Sequence, residues 1–312
     1  MSAIKLSIVV PVYNESGNIE ELFAEIVNVC AANSYEYEVI FVDDGSSDGS
    51  YEKAQNLKPL KYIRMRKNFG QSAAMDAGIK AAINDYIVTM DGDRQNNPAD
   101  IPMMLDYMIK NNCDIVSGWR KNRKDTFSKR FASRGANFLR SVFVKDNIHD
   151  SGCSLKVYKR ECFEGFNLYG EMHRFIPALL MLKGFKTGEV VVDHRARTCG
   201  VTKYNWKRVF NGFVDMVSIF FWRKYSARPL HLLGTCGIFM FLFGALSILI
   251  SAGFFIASNY LYATAALLVF FMFMLSGIFC FVSGVMTDIL IKIYYGDEIN
   301  TPYSIKDTFE NK

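Results

Sequence analysis

Between Leu230 and Thr287 the chain carries no Lys, Arg, Asp or Glu. An uncharged stretch of that length excludes an ordinary soluble surface. Leu230 to Ala257 and Leu261 to Met286 are each long enough to cross a hydrocarbon core of roughly 30 Å. Metal-ligand spacing is also missing: the seven cysteines (Cys30, Cys113, Cys153, Cys162, Cys199, Cys236, Cys280) form no paired pattern. They read as small buried hydrophobes in a reducing compartment. The N-terminus, Met1 to Ser7, lacks the apolar core of a signal peptide, so the first domain is expected to stay cytosolic. There is no internal repeat and no low-complexity tract.

What the chain does have is 312 residues, half of them hydrophobic, with a formal net charge of +5. That suffices for one sizeable globular domain plus membrane-embedded material. Leu6 to Val10 is a continuous apolar, β-branched run closed by Pro11, as in a buried parallel strand. Ile19 to Ala31 has helical periodicity. Further strands are expected at Glu38 to Val42, Tyr62 to Arg64, Tyr86 to Met90, Ile115 to Ser117 and Val190 to Val192. Helices are expected over 71–82, 99–110 and 171–182. This alternation predicts an α/β sheet with helices on both faces. Ligands bind such sheets beyond the carboxyl ends of the strands. Tyr13-Asn14-Glu15, Asp43-Asp44 and Asp91-Gly92-Asp93 all fall at those ends, so they converge on one crevice.

The charge excess is local. Arg120, Lys121, Arg123, Lys124, Lys129, Arg130, Arg134 and Arg140 have only Asp125 as an acid among them. Interleaved Phe127, Phe131, Phe138 and Phe143 give this segment an apolar face beside a cationic one. That suits a membrane surface or an anionic lipid head group. No nucleic-acid-binding signature accompanies it, and no nucleic acid partner is expected. Trp206 to Trp222 carries apolar residues at helical spacing with basic ends, as in an interfacial helix on the bilayer; a soluble-core helix is the alternative. Arg223, Lys224 and Arg228 precede the first span and Lys292 follows the second. By the positive-inside rule both flanks are cytoplasmic and Ser258-Asn259-Tyr260 is a small external turn. The expected division is a cytosolic domain over 1–204, an amphipathic juxtamembrane helix over 205–229, two transmembrane helices over 230–291 and a cytoplasmic tail over 292–312.

Two carboxylates one residue apart at a strand end can share a hard cation that also holds a diphosphate, and Gly92 lets backbone approach the ligand. Alone, Asp-x-Asp also fits a plain strand-to-helix turn. Its company is more specific. Ser7-Ile-Val-Val-Pro-Val-Tyr-Asn-Glu15, Phe41-Val-Asp-Asp-Gly-Ser-Ser-Asp48 and Met90-Asp-Gly-Asp-Arg-Gln-Asn-Asn-Pro98 resemble the three successive motifs of family-2 glycosyltransferases with the GT-A (Rossmann-like) fold. More narrowly, the chain resembles the polyprenyl-phosphate glycosyltransferases, among them dolichyl-phosphate mannose synthases, bactoprenol glucosyltransferases and undecaprenyl-phosphate aminoarabinose transferases. Arg66-Lys-Asn-Phe-Gly-Gln71, Asp150-Ser-Gly-Cys-Ser-Leu155 and Gly200-Val-Thr-Lys-Tyr204 extend the resemblance to about residues 5–290. Two departures stand out: Asp91-Gly-Asp-Arg-Gln95 replaces the usual Asp-Ala-Asp-Leu-Gln, and Thr202-Lys-Tyr204 replaces Ser-Lys-Tyr.

The resemblance implies a membrane-bound enzyme that moves a sugar from a nucleotide-sugar donor, with UDP the expected nucleotide, to polyprenyl phosphate at the inner (cytoplasmic) membrane. Pro11, Tyr13, Glu15 and Asp43 are then expected to hold the nucleotide, with Asp43 accepting from the ring N–H of uracil or guanine. Asp91 contacts the nucleotide or ribose beside Gly92, and Asp93 and Gln95 hold Mg²⁺ or Mn²⁺ against the diphosphate. The acceptor phosphate needs positioning more than deprotonation, since its second pKa is roughly 6. Arg120, Lys129, Ser133, Arg195 or Arg197, and Lys203 are the expected cradle. Asp150 is a candidate base or orienting group, or a structural turn residue. No second carboxylate stands out as a covalent nucleophile, so inversion is expected. Bacterial undecaprenyl phosphate is expected over dolichyl phosphate, and analogy suggests a homo-oligomer. Glucose, mannose, N-acetylhexosamine and aminoarabinose donors all serve similar chains, and pocket specificity rests on a few contacts. A processive polysaccharide synthase would need a longer channel and usually a Gln-x-x-Arg-Trp motif, which is missing. A non-catalytic scaffold would not need Asp91, Asp93, Gln95 and Lys203 together, and a nucleotidyltransferase leaves the hairpin unexplained.

Overall fold

The computed structural model describes residues 4–121, 148–168, 170, 172–196, 217, 220–221, 224–225 and 229–295. The chain divides into two compact units, Met1–Ile219 and Phe220–Lys312.

In the first unit, β1 (Lys5–Val12), β2 (Glu36–Asp43), β3 (Lys61–Arg64), β4 (Tyr86–Thr89), β5 (Ile115–Trp119), β6 (Lys156–Lys159) and β7 (Thr187–Val191) form one seven-stranded sheet in the order β3-β2-β1-β4-β6-β5-β7. Their side chains alternate between two apolar layers. Leu6, Ile8 and Val10 of β1 join Leu22 and Ile26 of α1 (Ile19–Ala32) and Met104 and Met108 of α4 (Ile101–Lys110). Val9 faces the other way, with Ala74, Met75 and Ile79 of α3 (Gln71–Ala81) and Ile176 and Leu180 of α5 (Ile176–Leu182). Helices on both faces explain why β1 lacks the polar alternation of a half-exposed strand.

The sequence pattern did not distinguish strand direction. β6 runs antiparallel to both β4 and β5, while β5 and β7 pair in parallel. A reversed strand places its N-terminal residue beside its neighbours' C-terminal ends. Lys156 of β6 accordingly sits opposite Thr89 of β4 and Ser117 of β5. The loop that carries Asp150 is thereby delivered to the edge where Asp91 and Asp93 emerge.

Element boundaries moved for local reasons. The helix expected over 171–182 begins at Ile176, with a proline in its first turn and a 3-10 turn, Met172–Arg174, before it. Pro177 suits a helix start because its missing N–H would have no partner there anyway. The 99–110 helix is a 3-10 turn, Pro98–Asp100, followed by α4, and Asn97 caps it by accepting from the Ala99 N–H at 3.1 Å. A short helix, α2 (Ser50–Ala54), lies outside the expected elements; Gly49 is its N-cap, and the Asp48 carboxylate just before it accepts from the Ser50 N–H at 3.1 Å. Asp48 also accepts from Ser16 N–H at 2.8 Å, and Asn14 exchanges hydrogen bonds with Ser46 and Ser47.

The second unit contains α6 (Pro229–Ile256) and α7 (Tyr260–Tyr295), both long and apolar enough to cross a membrane. They pack closely through small residues. A Cβ on Gly237 would come within 3.0 Å of the Gly277 carbonyl oxygen, and one on Gly277 within 3.2 Å of the Gly237 carbonyl oxygen. The Ser247 and Ser251 hydroxyls donate to the Ala266 and Ala263 carbonyls, each at 2.7 Å. Small residues and interhelical hydrogen bonds are the available glue in lipid, where apolar burial gives no preference for protein over hydrocarbon. Gly277→Leu is therefore expected to push the helices apart, at a cost of about 1–3 kcal/mol for overpacking. Gly253 has no atom within 4 Å of such a Cβ. Thermal unfolding in detergent should fall for Gly277→Leu and stay put for Gly253→Leu.

Candidate active site

At the carboxyl ends of β1, β2 and β4 lies a cleft of about 510 Å³ lined by Pro11, Tyr13, Glu15, Asp44, Asn68, Gly70, Gln71, Asp91, Gly92 and Asp93, among others. The three strand-end motifs thus meet in one place. Gly92 is needed where it stands, because a Cβ there would lie 3.1 Å from the Pro11 carbonyl oxygen. Asp93 is buried, and its carboxylate accepts from the Gln95 backbone N–H at 3.1 Å. Asp91 accepts from the Gln71 side-chain amide at 2.7 Å. Burial first, and then the Asp93 charge, push the Asp91 carboxyl above its usual range, against the pull of Ser154, Arg120 and Lys156.

Asp44 shapes one wall of the cleft. Its two oxygens accept from the Phe69 and Gly70 backbone N–H groups at 2.6 and 2.9 Å, so it holds the Asn68–Gly70 wall of the cleft. Asp43 is not among the residues lining that cleft. It is fully buried, its Oδ1 accepts from Ser46 N–H at 2.7 Å, and its Oδ2, without a well-formed hydrogen bond, lies 3.7 Å from Arg64 Nε and close to the Tyr62 hydroxyl. Arg64 in turn lies over the Tyr51 ring and helps line a smaller hollow of about 400 Å³ with Gly45, Ser46, Met65 and Arg66.

A second cluster adjoins Asp91. Arg120 grips Asp150 with two parallel bonds, Nε to Oδ2 at 2.6 Å and Nη2 to Oδ1 at 2.9 Å. Burial alone raises the Asp150 carboxyl, but the Arg120 guanidinium outweighs it and the net shift is downward. A carboxylate held ionised by a forked arginine is an orienting group and a poor proton acceptor. Lys156 is buried beneath it, its ammonium donating to the Ser151 and Cys153 carbonyls, and burial lowers its pKa. Asn96 stitches the two clusters together. Its side-chain oxygen accepts from Asp91 N–H at 3.1 Å and from the Ser154 hydroxyl at 2.7 Å.

Arg195 is engaged elsewhere than the expected phosphate cradle: its guanidinium binds Glu25 and Asn97, each at 2.7 Å. Lys129, Ser133, Arg197 and Lys203 lie outside the described residues. The links from Asn96 to Ser154 and from Asp44 to Phe69 and Gly70 join separate loops and give no local sequence pattern. Among the described residues no group of three or more His, Cys, Asp or Glu could hold a metal by itself. Asp93 and Gln95 fit a hard cation only if a diphosphate supplies the remaining oxygens, the way Mg²⁺ is commonly held.

Comparison with known proteins places this geometry. The chain matches a dodecaprenyl-phosphate galacturonate synthase of Rhizobium johnstonii at 36% identity, over 100% of this chain and 95% of that one. It matches an undecaprenyl-phosphate 4-deoxy-4-formamido-L-arabinose transferase of Proteus mirabilis at 32% identity, over 75% of this chain and 71% of that one. Among solved structures, mannosyl-3-phosphoglycerate synthase from Rubrobacter xylanophilus superposes with a TM-score of 0.58 at 16% identity, covering 69% of this chain and 73% of that one. Glucosyl-3-phosphoglycerate synthase from Mycobacterium tuberculosis, in complex with Mn²⁺ and UDP, gives 0.55 at 15% identity, covering 70% and 80%. Both share the fold. The family model described as Glycosyl transferase family 2 matches residues 7–166, a span that runs from the first strand past both the Asp91–Asp93 turn and the Arg120–Asp150 pair, and the chain belongs to that family.

Proposed function

We propose that the protein is a membrane-bound, divalent-metal-dependent glycosyltransferase that moves a sugar from a UDP-sugar to polyprenyl phosphate, with inversion at the anomeric carbon. The observation that carries this reading is the joining of two oppositely charged clusters by Asn96: the Asp91–Asp93 turn and the Arg120–Asp150 pair with Lys156 beneath. One suits a cation-bound diphosphate and the other an anionic acceptor. The full-length relative is named for a dodecaprenyl-phosphate product, and the two apolar helices supply an anchor beside a lipid substrate.

The residues divide the work. Asp93 and Gln95 would hold Mg²⁺ or Mn²⁺, which when bound neutralises charge on the leaving nucleoside diphosphate. Pro11, Tyr13 and Glu15 line the donor side. Asp150 keeps Arg120 in one orientation toward the acceptor, and the phosphate oxygen attacks without a dedicated base. Asp43 favours uridine over guanosine. Its Oδ1 is already occupied by Ser46 N–H, leaving one oxygen for one ring N–H. Guanine offers two adjacent donors, which want both carboxylate oxygens. Access to Oδ2 requires the half-exposed Arg64 side chain to move aside. The catalytic domain faces the cytosol and the hairpin sits in the bacterial inner membrane, in keeping with the basic flanks.

Purified enzyme, undecaprenyl phosphate, Mn²⁺ or Mg²⁺ and a panel of nucleotide sugars test the reading. The panel includes UDP-galacturonate, UDP-glucose, UDP-N-acetylglucosamine and GDP-mannose. A new glycolipid from one UDP-sugar, with the anomeric configuration inverted by NMR, is the expected result. Retention would overturn the single displacement, and a GDP-sugar as sole donor would overturn the assignment of Asp43.

A further inference from the structure

Arg94 stands where the resembling sequences usually have an apolar residue, and the structure gives it an unusual setting. Its backbone is left-handed, with φ of 60°, a conformation that residues with a side chain seldom adopt. Within the turn, Asp93 accepts from the Gln95 N–H and Asn96 from the Asp91 N–H, and the Arg94 side chain ties the turn to a neighbouring element. Its guanidinium reaches two carboxylates of α1, Glu21 and Glu25, with Nη2 2.9 Å from Glu25 Oε1. The other oxygen of Glu25 is taken by Arg195, with Nη1 2.7 Å from Oε2. The second fork of Arg195 binds Asn97, and its backbone N–H donates to the Gln95 carbonyl at 2.9 Å. Asn96 and His194 form an antiparallel bridge beside these bonds.

One carboxylate therefore holds two arginines, one inside the Asp91–Asn97 turn and one on the segment leaving β7. Glu25 is well covered, at 27% side-chain exposure, whereas Glu21 is 66% exposed and correspondingly screened. We propose that Glu25 is a positioning residue for sugar transfer, clamping the diphosphate-facing turn through Arg94 and Arg195 so that Asp93 and Gln95 keep one geometry. The proposal rests on the metal and donor roles given above to Asp93 and Gln95. Its physical core is a change of sign. With Glu25 ionised, two guanidinium groups are drawn to one anion; with that charge removed, they face each other across a neutral side chain and repel. The turn then keeps only the exposed, screened Glu21 as its tether to α1 and gains a reason to open. An error of about 1 Å in a positioned group can cost on the order of 100-fold in rate.

The test compares wild type, Glu25→Gln, Arg94→Leu and the double variant of the full chain in detergent, with Glu36→Gln as a control in an exposed pair with Lys5. Hydrogen exchange of the peptide covering residues 91–97 is read without ligands, followed by Mn²⁺–UDP affinity and the kinetic constants for donor and acceptor. Glu25→Gln is expected to speed exchange in that peptide and weaken Mn²⁺–UDP binding by about tenfold, the size of a typical coupling between sites. The donor KM should rise more than the acceptor KM. Arg94→Leu added to Glu25→Gln should restore part of the affinity, because it relieves the repulsion. If Glu25→Gln does not fold, Arg94→Leu alone carries the exchange test and should speed it. Unchanged exchange and affinity within about twofold of an active wild type, or strictly additive losses in the double variant, would overturn the clamp. An inactive wild type with every donor would instead count against the transferase reading, and the exchange comparison would still judge the clamp.

Discussion

Asp93→Ala is expected to lower sugar transfer by about 10²–10³-fold or more, the range seen when one preorganised electrostatic contact to developing charge is lost. The carboxylate is buried and lines the cleft beside Gly92. On the proposed reading it serves the donor's diphosphate, where leaving-group charge develops. The Asp91 carboxylate accepts from Gln71, and burial and Asp93 both push it toward the neutral form. Removing Asp93 also removes an acceptor from Gln95 N–H, a small structural loss of about 1 kcal/mol. Activity should therefore collapse while the melting temperature changes by a few degrees. Measured Mn²⁺ affinity in the presence of UDP should fall with the activity. Full activity in Asp93→Ala, with the variant inserted in membranes, would support a scaffold in place of an enzyme.

The second large effect belongs to Arg120 and Asp150. Their side chains are only 11% and 16% exposed, and the pair is bidentate. Breaking a buried pair by deleting one partner costs about 3–5 kcal/mol, because the remaining charge stays buried without compensation. Arg120→Ala should therefore lose both stability and acceptor use, and Arg120→Lys should retain charge but lose the fork. Asp150→Asn separates the roles. If Asp150 orients Arg120, the variant should raise the acceptor KM and keep the shape of the pH–rate profile. If Asp150 were the proton acceptor, kcat would fall and the acidic limb of that profile would disappear.

The same pair sets a pH dependence of stability. The Asp150 carboxyl is depressed in the folded protein relative to an ordinary aspartate near 3.9. Its stabilising contribution is fully present above that unfolded value and is lost as pH falls below it, through the lower folded value. Acid denaturation below about pH 4 should accordingly be less steep in Asp150→Asn than in wild type.

Much of this site was legible because its chemistry is local in sequence. Pro11 to Glu15, Asp43 to Asp48 and Asp91 to Gln95 each follow a run of buried apolar residues, and the α/β alternation alone puts strand ends together. The interactions between loops were not legible. Glu25 lies 69 residues from Arg94 and 170 from Arg195, so no periodicity could pair them. Arg195 is expected at a phosphate because it sits in a basic loop, whereas in the structure it pairs with the half-buried Glu25 carboxylate. The direction of β6 was hidden for a different reason. A four-residue strand such as Lys156–Lys159 presents the same alternation read either way, and only its partners decide. The antiparallel choice is what carries Lys156 and the Asp150 loop to the donor's edge of the sheet.

On the proposed reading, sugar leaves a donor bound at the Asp91–Asp93 turn for a lipid phosphate held beside Arg120. The most direct test offers the purified enzyme undecaprenyl phosphate and undecaprenol separately, with the active UDP-sugar and Mn²⁺, and weighs the lipid products by mass spectrometry. Glycosylation of the phosphate alone, and none from Arg120→Ala, is the predicted result. Equal transfer to undecaprenol would contradict it, because an acceptor without a phosphate gives Arg120 nothing to hold.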